Sequence, residues 1–186
     1  TIEQIRHKSL LPNYDIFDEY RYFEPNNVFS CIDFKGKKIA LTICEDLWNI
    51  GDDPLYTINP MDELMKEKPD VMINIAASPF HYDQREIRTA ILKRNVEKYK
   101  IPLFYVNHVG AQTELLFDGG SLVMNEQAKI VSELKYFEED FKIFDIEALV
   151  VESSGSTSPV KIELIHDALV MGIRNYFEKL GFKKAI

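Results

Sequence analysis

The sequence predicts an α/β fold built around a mixed β-sheet, and three observations carry the prediction. Short continuous apolar runs at residues 39–44, 71–77 and 103–109 read as buried strands. A helical pattern at 84–100 lies between the second and third runs, so strands alternate with helices. Turn-forming stretches at Lys35-Gly36-Lys37, Asp118-Gly119-Gly120 and residues 125–129 add hairpins, which make the sheet mixed.

Taken in order, residues 13–23 hold Tyr14, Phe17, Tyr20, Tyr22 and Phe23 without strand or helical periodicity, which predicts an ordered loop with its rings turned inward. Residues 28–33 and 38–44 flank Lys35-Gly36-Lys37 as a strand–turn–strand hairpin. Residues 59–68 predict a helix stopped by Pro69. The strand at 71–77 runs into Ser78-Pro79. In the helix at 84–100, Ile87, Ile91, Leu92, Val96 and Tyr99 share one face, while Arg88, Lys93, Glu97 and Lys98 occupy the other. Pro102 ends it, and 103–109 form the third buried strand. Residues 121–124 make a further strand, followed by the hairpin at 125–129.

The chain changes character at 152–159, where Ser153-Ser154-Gly155-Ser156-Thr157-Ser158 has the composition of a flexible linker. Beyond it, Ile165, Ala168, Leu169, Gly172, Ile173, Phe177 and Leu180 fall on one helical stripe, with Gly181 placed to cap it. That helix is expected to pack on a following domain rather than on the preceding one. The resulting organisation is a domain over 1–150, a linker over 151–162, and a linker helix with the start of another domain over 163–186. Thr1 is not an initiator methionine, and residues 182–186 look like the opening of another strand. Both ends read as those of a piece of a longer polypeptide.

Composition narrows the function classes. Of the 186 residues 46% are hydrophobic, enough for a substantial core, and the net charge of -8 argues against nucleic acid or an anionic membrane as partner. Two cysteines, Cys31 and Cys44, do not make a disulfide scaffold and favour a reducing, cytoplasmic setting. No apolar stretch approaches the roughly 20 residues that span a bilayer.

Cys44 closes the run Ile39-Ala40-Leu41-Thr42-Ile43-Cys44 and is followed by Glu45-Asp46. This places a thiol at the carboxyl end of a strand, where open α/β sheets bind ligands. A thiol of ordinary pKa, about 8.5, needs a cation or base to become a nucleophile. Four histidines are available: His7, His81, His108 and His166. A cysteine–histidine pair of the protease kind therefore stays open, but Lys8, ahead of an aromatic loop that contains acids, fits better. Singly, Cys44 reads equally as a small buried hydrophobe, and Lys8 and Glu19 as solvated surface charges.

Together the motifs favour the lysine. KSLLPNYDIFDEYRYF from Lys8, TICEDLW from Thr42, NIAASPFH from Asn74, YVNHVG from Tyr105 and FDGGS from Phe117 stand in one order. This set resembles the carbon–nitrogen hydrolase (nitrilase) superfamily, and within it most closely the glutaminase domain of glutamine-dependent NAD synthetases, over roughly residues 5–145. The resemblance implies a nitrilase-like α-β-β-α sandwich with mixed sheets, incomplete on its N-terminal side. It implies Cys44 as the nucleophile that forms a thioester with glutamine, Lys8 as the cation at the thiolate and oxyanion, and Glu19 as support for the lysine. Tyr14 and Phe17 would wall the glutamine pocket. Glu45 and Ser78 would grip the amino-acid end, and either Arg85 or Arg88 would meet the carboxylate through a bidentate contact.

The resemblance also places the general base on a glutamate upstream of the lysine motif. Only residues 1–7 precede Lys8, and Glu3 is too close to fill that position. Loss of such a base costs about 10²–10⁴-fold in rate, so the segment alone is expected to be a poor enzyme or inactive. No metal or cofactor is expected within it. ATP and Mg²⁺ are implied for a synthetase domain outside it, with deamido-NAD as that domain's substrate and a homo-oligomer as the assembly. A stand-alone small-amide amidase and a non-catalytic interaction module are the competing readings.

Overall fold

Lys35 and Gly36, both at positive φ (48° and 78°), form the two-residue turn that joins β1 (Ile32–Phe34) to β2 (Lys37–Ile43). In this computed structural model, which describes residues 2–151 and 160–184, the chain then passes through α1 (Pro60–Leu64) to β3 (Val71–Ala76). It continues through α2 (Gln84–Tyr99) to β4 (Leu103–Asn107). β5 (Val109–Gln112), β6 (Leu115–Asp118), β7 (Leu122–Met124), β8 (Ile130–Glu133) and α3 (Lys161–Leu180) follow. The linker expected at 152–159 and the last two residues of the expected terminal strand lie outside the described residues.

The main sheet has the order β1-β2-β3-β4-β7-β8. β2, β3 and β4 are parallel, as their helical crossovers require, and the flanking pairs are antiparallel. The sheet is therefore mixed, as the alternation of runs and hairpins predicts. Asn59 caps α1, its side chain accepting from the Met61 N–H at 3.1 Å with Pro60 in the first turn. One sheet face carries Ala40, Met72, Leu103, Tyr105, Leu122 and Met124 and packs against Met61, Leu64, Leu92 and Val96 from the helices. The other face is open in part. Ile75 and Val106, register neighbours on β3 and β4, are each 49% exposed there. The segment after β8 crosses this side, with Phe144 edge-on to Phe104 at 5.9 Å and Glu147 paired to Lys37. Among the described residues no second large sheet stacks on it; β5 and β6 form a separate two-stranded ribbon.

Four expectations are corrected. The run at 103–109 is not one strand: it breaks at His108, and Val109 starts the ribbon, whose turn at Gln112–Leu115 lacks a glycine signal. The aromatic loop does not turn its rings inward; Tyr14, Tyr20, Tyr22 and Phe23 are all exposed. In α2 the buried stripe is Arg88, Leu92, Asn95, Val96 and Tyr99, whereas Ile87 is exposed. The spacing is helical but two members are polar, each buried with dedicated partners. Finally, α3 sits on the preceding domain. Leu164, Ala168 and Met171 are buried, Gly172 lies against Leu116, and Asn175 accepts the Ala111 N–H at 2.9 Å. Leu169, Ile173 and Leu180 of the expected stripe face solvent.

Candidate active site

β2 ends in a turn that three successive residues divide between them. Cys44 has φ 46°, a left-handed conformation uncommon for a residue with a Cβ, and it opens a 3-10 turn over Cys44–Leu47. Asn74, fully buried beneath, donates to the Cys44 carbonyl at 3.3 Å and to Thr42 Oγ1 at 2.9 Å. Asp46 turns inward. Its Oδ1 accepts the N–H groups of Ser9 and Leu10 at 3.0 and 2.8 Å, and its Oδ2 accepts that of Ile43 at 2.9 Å. Those bonds fasten the Lys8 segment to the turn. Glu45 points the other way, accepting from the Tyr14 hydroxyl at 2.9 Å and the Tyr56 hydroxyl at 3.3 Å.

Two cavities meet at Cys44 and Phe17. One, of about 630 Å³, brings together Cys44, Lys8, Glu19, Ala77 and His108. In it Lys8 Nζ donates to both Glu19 oxygens, at 2.7 and 2.5 Å. The other, of about 480 Å³, is lined by Tyr14, Glu45, Trp48, Ser78, His81 and Gln84. The structure thus gathers Cys44, Lys8, Glu19, Tyr14, Phe17, Glu45 and Ser78 around one sulfur.

Burial pushes the Cys44 thiol above its ordinary value, while the Lys8 charge and an N–H donated by Ala77 pull it back. Burial also raises the Glu45 carboxyl, against the hydrogen bonds of Tyr14 and Tyr56 and the charge of Lys8. At rest the sulfur is a neutral thiol beside a cation already engaged by a carboxylate. Such a site stabilises a negative charge that forms during reaction and requires a base to start it. Among the described residues no group of three or more His, Cys, Asp or Glu side chains is placed to hold a metal.

Neither arginine reaches either cavity, which corrects their assignment to the substrate carboxylate. Arg85 is taken by Glu133, at 3.1 and 2.7 Å. Arg88 is 1% exposed and makes two 3.0 Å bonds to Asp118 beneath the site. The group facing the cavity at the start of α2 is Gln84, whose Nε2 donates to Ser78 Oγ at 3.1 Å. Sequence reasoning missed Gln84 and Tyr56, because neither stands inside a recognisable motif. It also missed the role of Asp46, although the CED motif contains it.

No protein-family model matches the chain. The glutamine-dependent NAD(+) synthetase of Synechocystis is 37% identical over 192 residues, which cover all of this chain and 34% of that protein. The solved glutamine-dependent NAD+ synthetase of Acinetobacter baumannii, in complex with ADP, superposes with a TM-score of 0.84 at 30% identity, over 96% of this chain and 33% of its own. A carbon–nitrogen hydrolase from Helicobacter pylori superposes with a TM-score of 0.62 at 21% identity, over 71% of this chain and 48% of its own, and supports the fold alone. The fold is that of the carbon–nitrogen hydrolases. Within that class, the chain matches along nearly its whole length one segment of glutamine-dependent NAD(+) synthetases, and spans about a third of the length of the curated relatives it matches.

Proposed function

We propose that this segment hydrolyses the side-chain amide of glutamine through a thioester on Cys44. The ammonia then serves a synthetase part of the same polypeptide, which amidates deamido-NAD to NAD with ATP. The observation that carries the reading is the convergence on one strained strand-end thiol of a Lys8–Glu19 pair from one cavity and a tyrosine-held Glu45 from the other. In the first step Cys44 Sγ loses its proton to a base and bonds to the amide carbon. Lys8 and the N–H following Cys44 receive the negative oxygen. The C–N bond then breaks, the nitrogen leaves with the proton as ammonia, and water cleaves the thioester to glutamate. Glu19 is spoken for by Lys8, and the resemblance assigns the proton transfers to a glutamate upstream of Lys8.

Glutamine recognition follows from the second cavity. Glu45 suits the α-ammonium, and Ser78 Oγ with the Gln84 amide suits the α-carboxylate, the role first sought in Arg85 and Arg88. Both cysteines are free, which supports a reducing, cytoplasmic setting. We assign the whole enzyme a homo-oligomeric state, with ATP and Mg²⁺ outside this segment. The test is labelling of the full polypeptide with a glutamine-shaped diazoketone. The expected adduct is on Cys44, not on buried Cys31, is suppressed by glutamine, and is slowed by Lys8→Ala. A Cys44 that takes no label overturns the proposal.

A further inference from the structure

Tyr56 is fastened by one buried amide to the turn that carries the nucleophile. Asn49 stands just after the 3-10 turn of Cys44–Leu47 and is buried. Its Nδ2 donates to the Tyr56 and Ile58 carbonyls, both at 2.9 Å, and its Oδ1 accepts the Tyr56 N–H at 3.1 Å. Both amide hydrogens and the oxygen are engaged, so the group has one orientation. Tyr56 in turn has both of its backbone polar groups bound to a single side chain. The Asn49 carbonyl accepts from Asn59 Nδ2 at 3.1 Å, and Asn59 caps α1, which closes the loop at its far end. Residues 51–55, between these ties, are exposed.

What the clamp delivers is a hydroxyl. The Tyr56 side chain donates to Glu45 Oε1 at 3.3 Å, the same oxygen that takes the Tyr14 hydroxyl at 2.9 Å. Tyr14 and Glu45 line the cavity that contains Ser78 and Gln84, whereas Tyr56 lines two others. Tyr14 therefore meets Glu45 from the substrate side and Tyr56 meets it from behind. A glutamate side chain has several staggered settings, and two donors converging on one oxygen select among them. Ties across the loop would serve its stability without any hydroxyl on Glu45. We infer that Tyr56, held by Asn49, is a positioning residue whose hydroxyl sets the Glu45 carboxylate where the α-ammonium of glutamine binds. The pair then decides the preference for glutamine over amides that lack the ammonium. The inference rests on the reading of Glu45 as the seat of that ammonium.

The test is protection of Cys44 against iodoacetamide in the full polypeptide, read by peptide mass spectrometry so that Cys31 is counted apart. Two protectors are compared: glutamine, and glutaramate, which keeps the amide and the carboxylate but has no ammonium. A hydrogen bond to a charged group is worth roughly tenfold in equilibrium. Tyr56→Phe, which removes only the hydroxyl, is expected to raise the half-protecting glutamine concentration about tenfold and to move that of glutaramate by less than about twofold. Asn49→Ala is expected to move glutamine in the same direction. In a chain already carrying Tyr56→Phe it should add less than about twofold, because its effect passes through the lost hydroxyl. A full further loss there would make Asn49 a general brace of the loop and overturn its part. Tyr56→Phe carries the test should Asn49→Ala not fold. Unchanged glutamine protection in Tyr56→Phe, with protection lost in Glu45→Gln, overturns the inference. An equal loss for both protectors, the mark of a loosened site, overturns it too. Glutamine protection kept in both Tyr56→Phe and Glu45→Gln overturns the reading of Glu45 instead, so the two fail separately.

Discussion

Glu45 occupies the most costly position in the site, a carboxyl 4% exposed whose two tyrosine partners supply hydrogen bonds but no charge. Burial raises its proton affinity in the folded state above the ordinary value of 4.5, so between the two values the folded chain binds more protons than the unfolded one. Stability contributed by this group is then greatest at low pH and falls as pH rises through the raised value. Glu45→Gln removes the burden while keeping the one acceptor, Oε1, that both tyrosines use. It is expected to raise Tm at neutral pH by roughly 2–4 °C, the equivalent of about 1 kcal/mol in a chain of this length. The gain should vanish below pH 4.5, and glutamine protection of Cys44 should be lost. Thermal scans at pH 4 and pH 7 decide it; a variant equally stable to wild type at both would remove the electrostatic account. The residues of this site were unevenly legible. Cys44, Lys8 and Glu19 announce themselves by motif order. Gln84 does not, because its partner Ser78 comes near only once β3 and α2 are in place.

At the level of elements, α2 shows how a correct period can hide a wrong phase. Its buried stripe has helical spacing, yet Arg88 and Asn95 belong to it, and the reason lies far off in sequence. Asp118 follows by 30 positions, and the Leu47 carbonyl, which takes the Asn95 amide at 2.9 Å, precedes by 48. A hydrophobicity pattern sees neither partner. Once made, such a pair is demanding, since removing one member leaves the other charged and dry. Arg88→Ala should destabilise the chain by about 3–5 kcal/mol, read from the denaturant midpoint. A loss below about 1 kcal/mol would mean that the guanidinium is hydrated rather than clamped. The split of 103–109 into β4 and β5 escaped the sequence for a related reason. The His108 N–H still bonds the Ala76 carbonyl at 2.8 Å beside the last β3–β4 pair. Its carbonyl accepts the Gly119 N–H at 3.0 Å beside the ribbon, a change of partner with no local turn signal.

Across the whole molecule the two sides of the main sheet differ. One is sealed by α1 and α2, while the other leaves Ile75 and Val106 half exposed; among the described residues the segment carrying Phe144 crosses it, and Ile75 lines the Cys44 cavity with the Lys8 segment. Apolar area of this kind on a folded chain attracts cover. The 186-residue segment by itself should bind an anilinonaphthalene dye in its native state, and Ile75→Thr with Val106→Thr should abolish most of the fluorescence. Threonine keeps the strand propensity, so stability should change by less than about 1 kcal/mol. Dye binding unaffected by the pair would place the apolar surface elsewhere, for instance on the solvent side of α3. The alternation of strands and helices and the hairpins were readable from runs and turns alone. The seat of α3 was not, because its buried Leu164 and Met171 lie outside the expected stripe, and Gly172 against Leu116 and the Asn175 amide carry no hydrophobic signal.

The left-handed backbone at Cys44 has a consequence for how such a chain can change over generations. At φ 46° the residue that fits most easily is glycine, and other side chains carry strain, asparagine and aspartate the least. Drift toward greater stability would therefore tend to erase the thiol, and a relaxed descendant would keep the whole scaffold, Lys8 and Glu19 included, with nothing left for them to assist. Under the proposed chemistry a cysteine at this point serves for its thiol, against the backbone preference of the position that holds it.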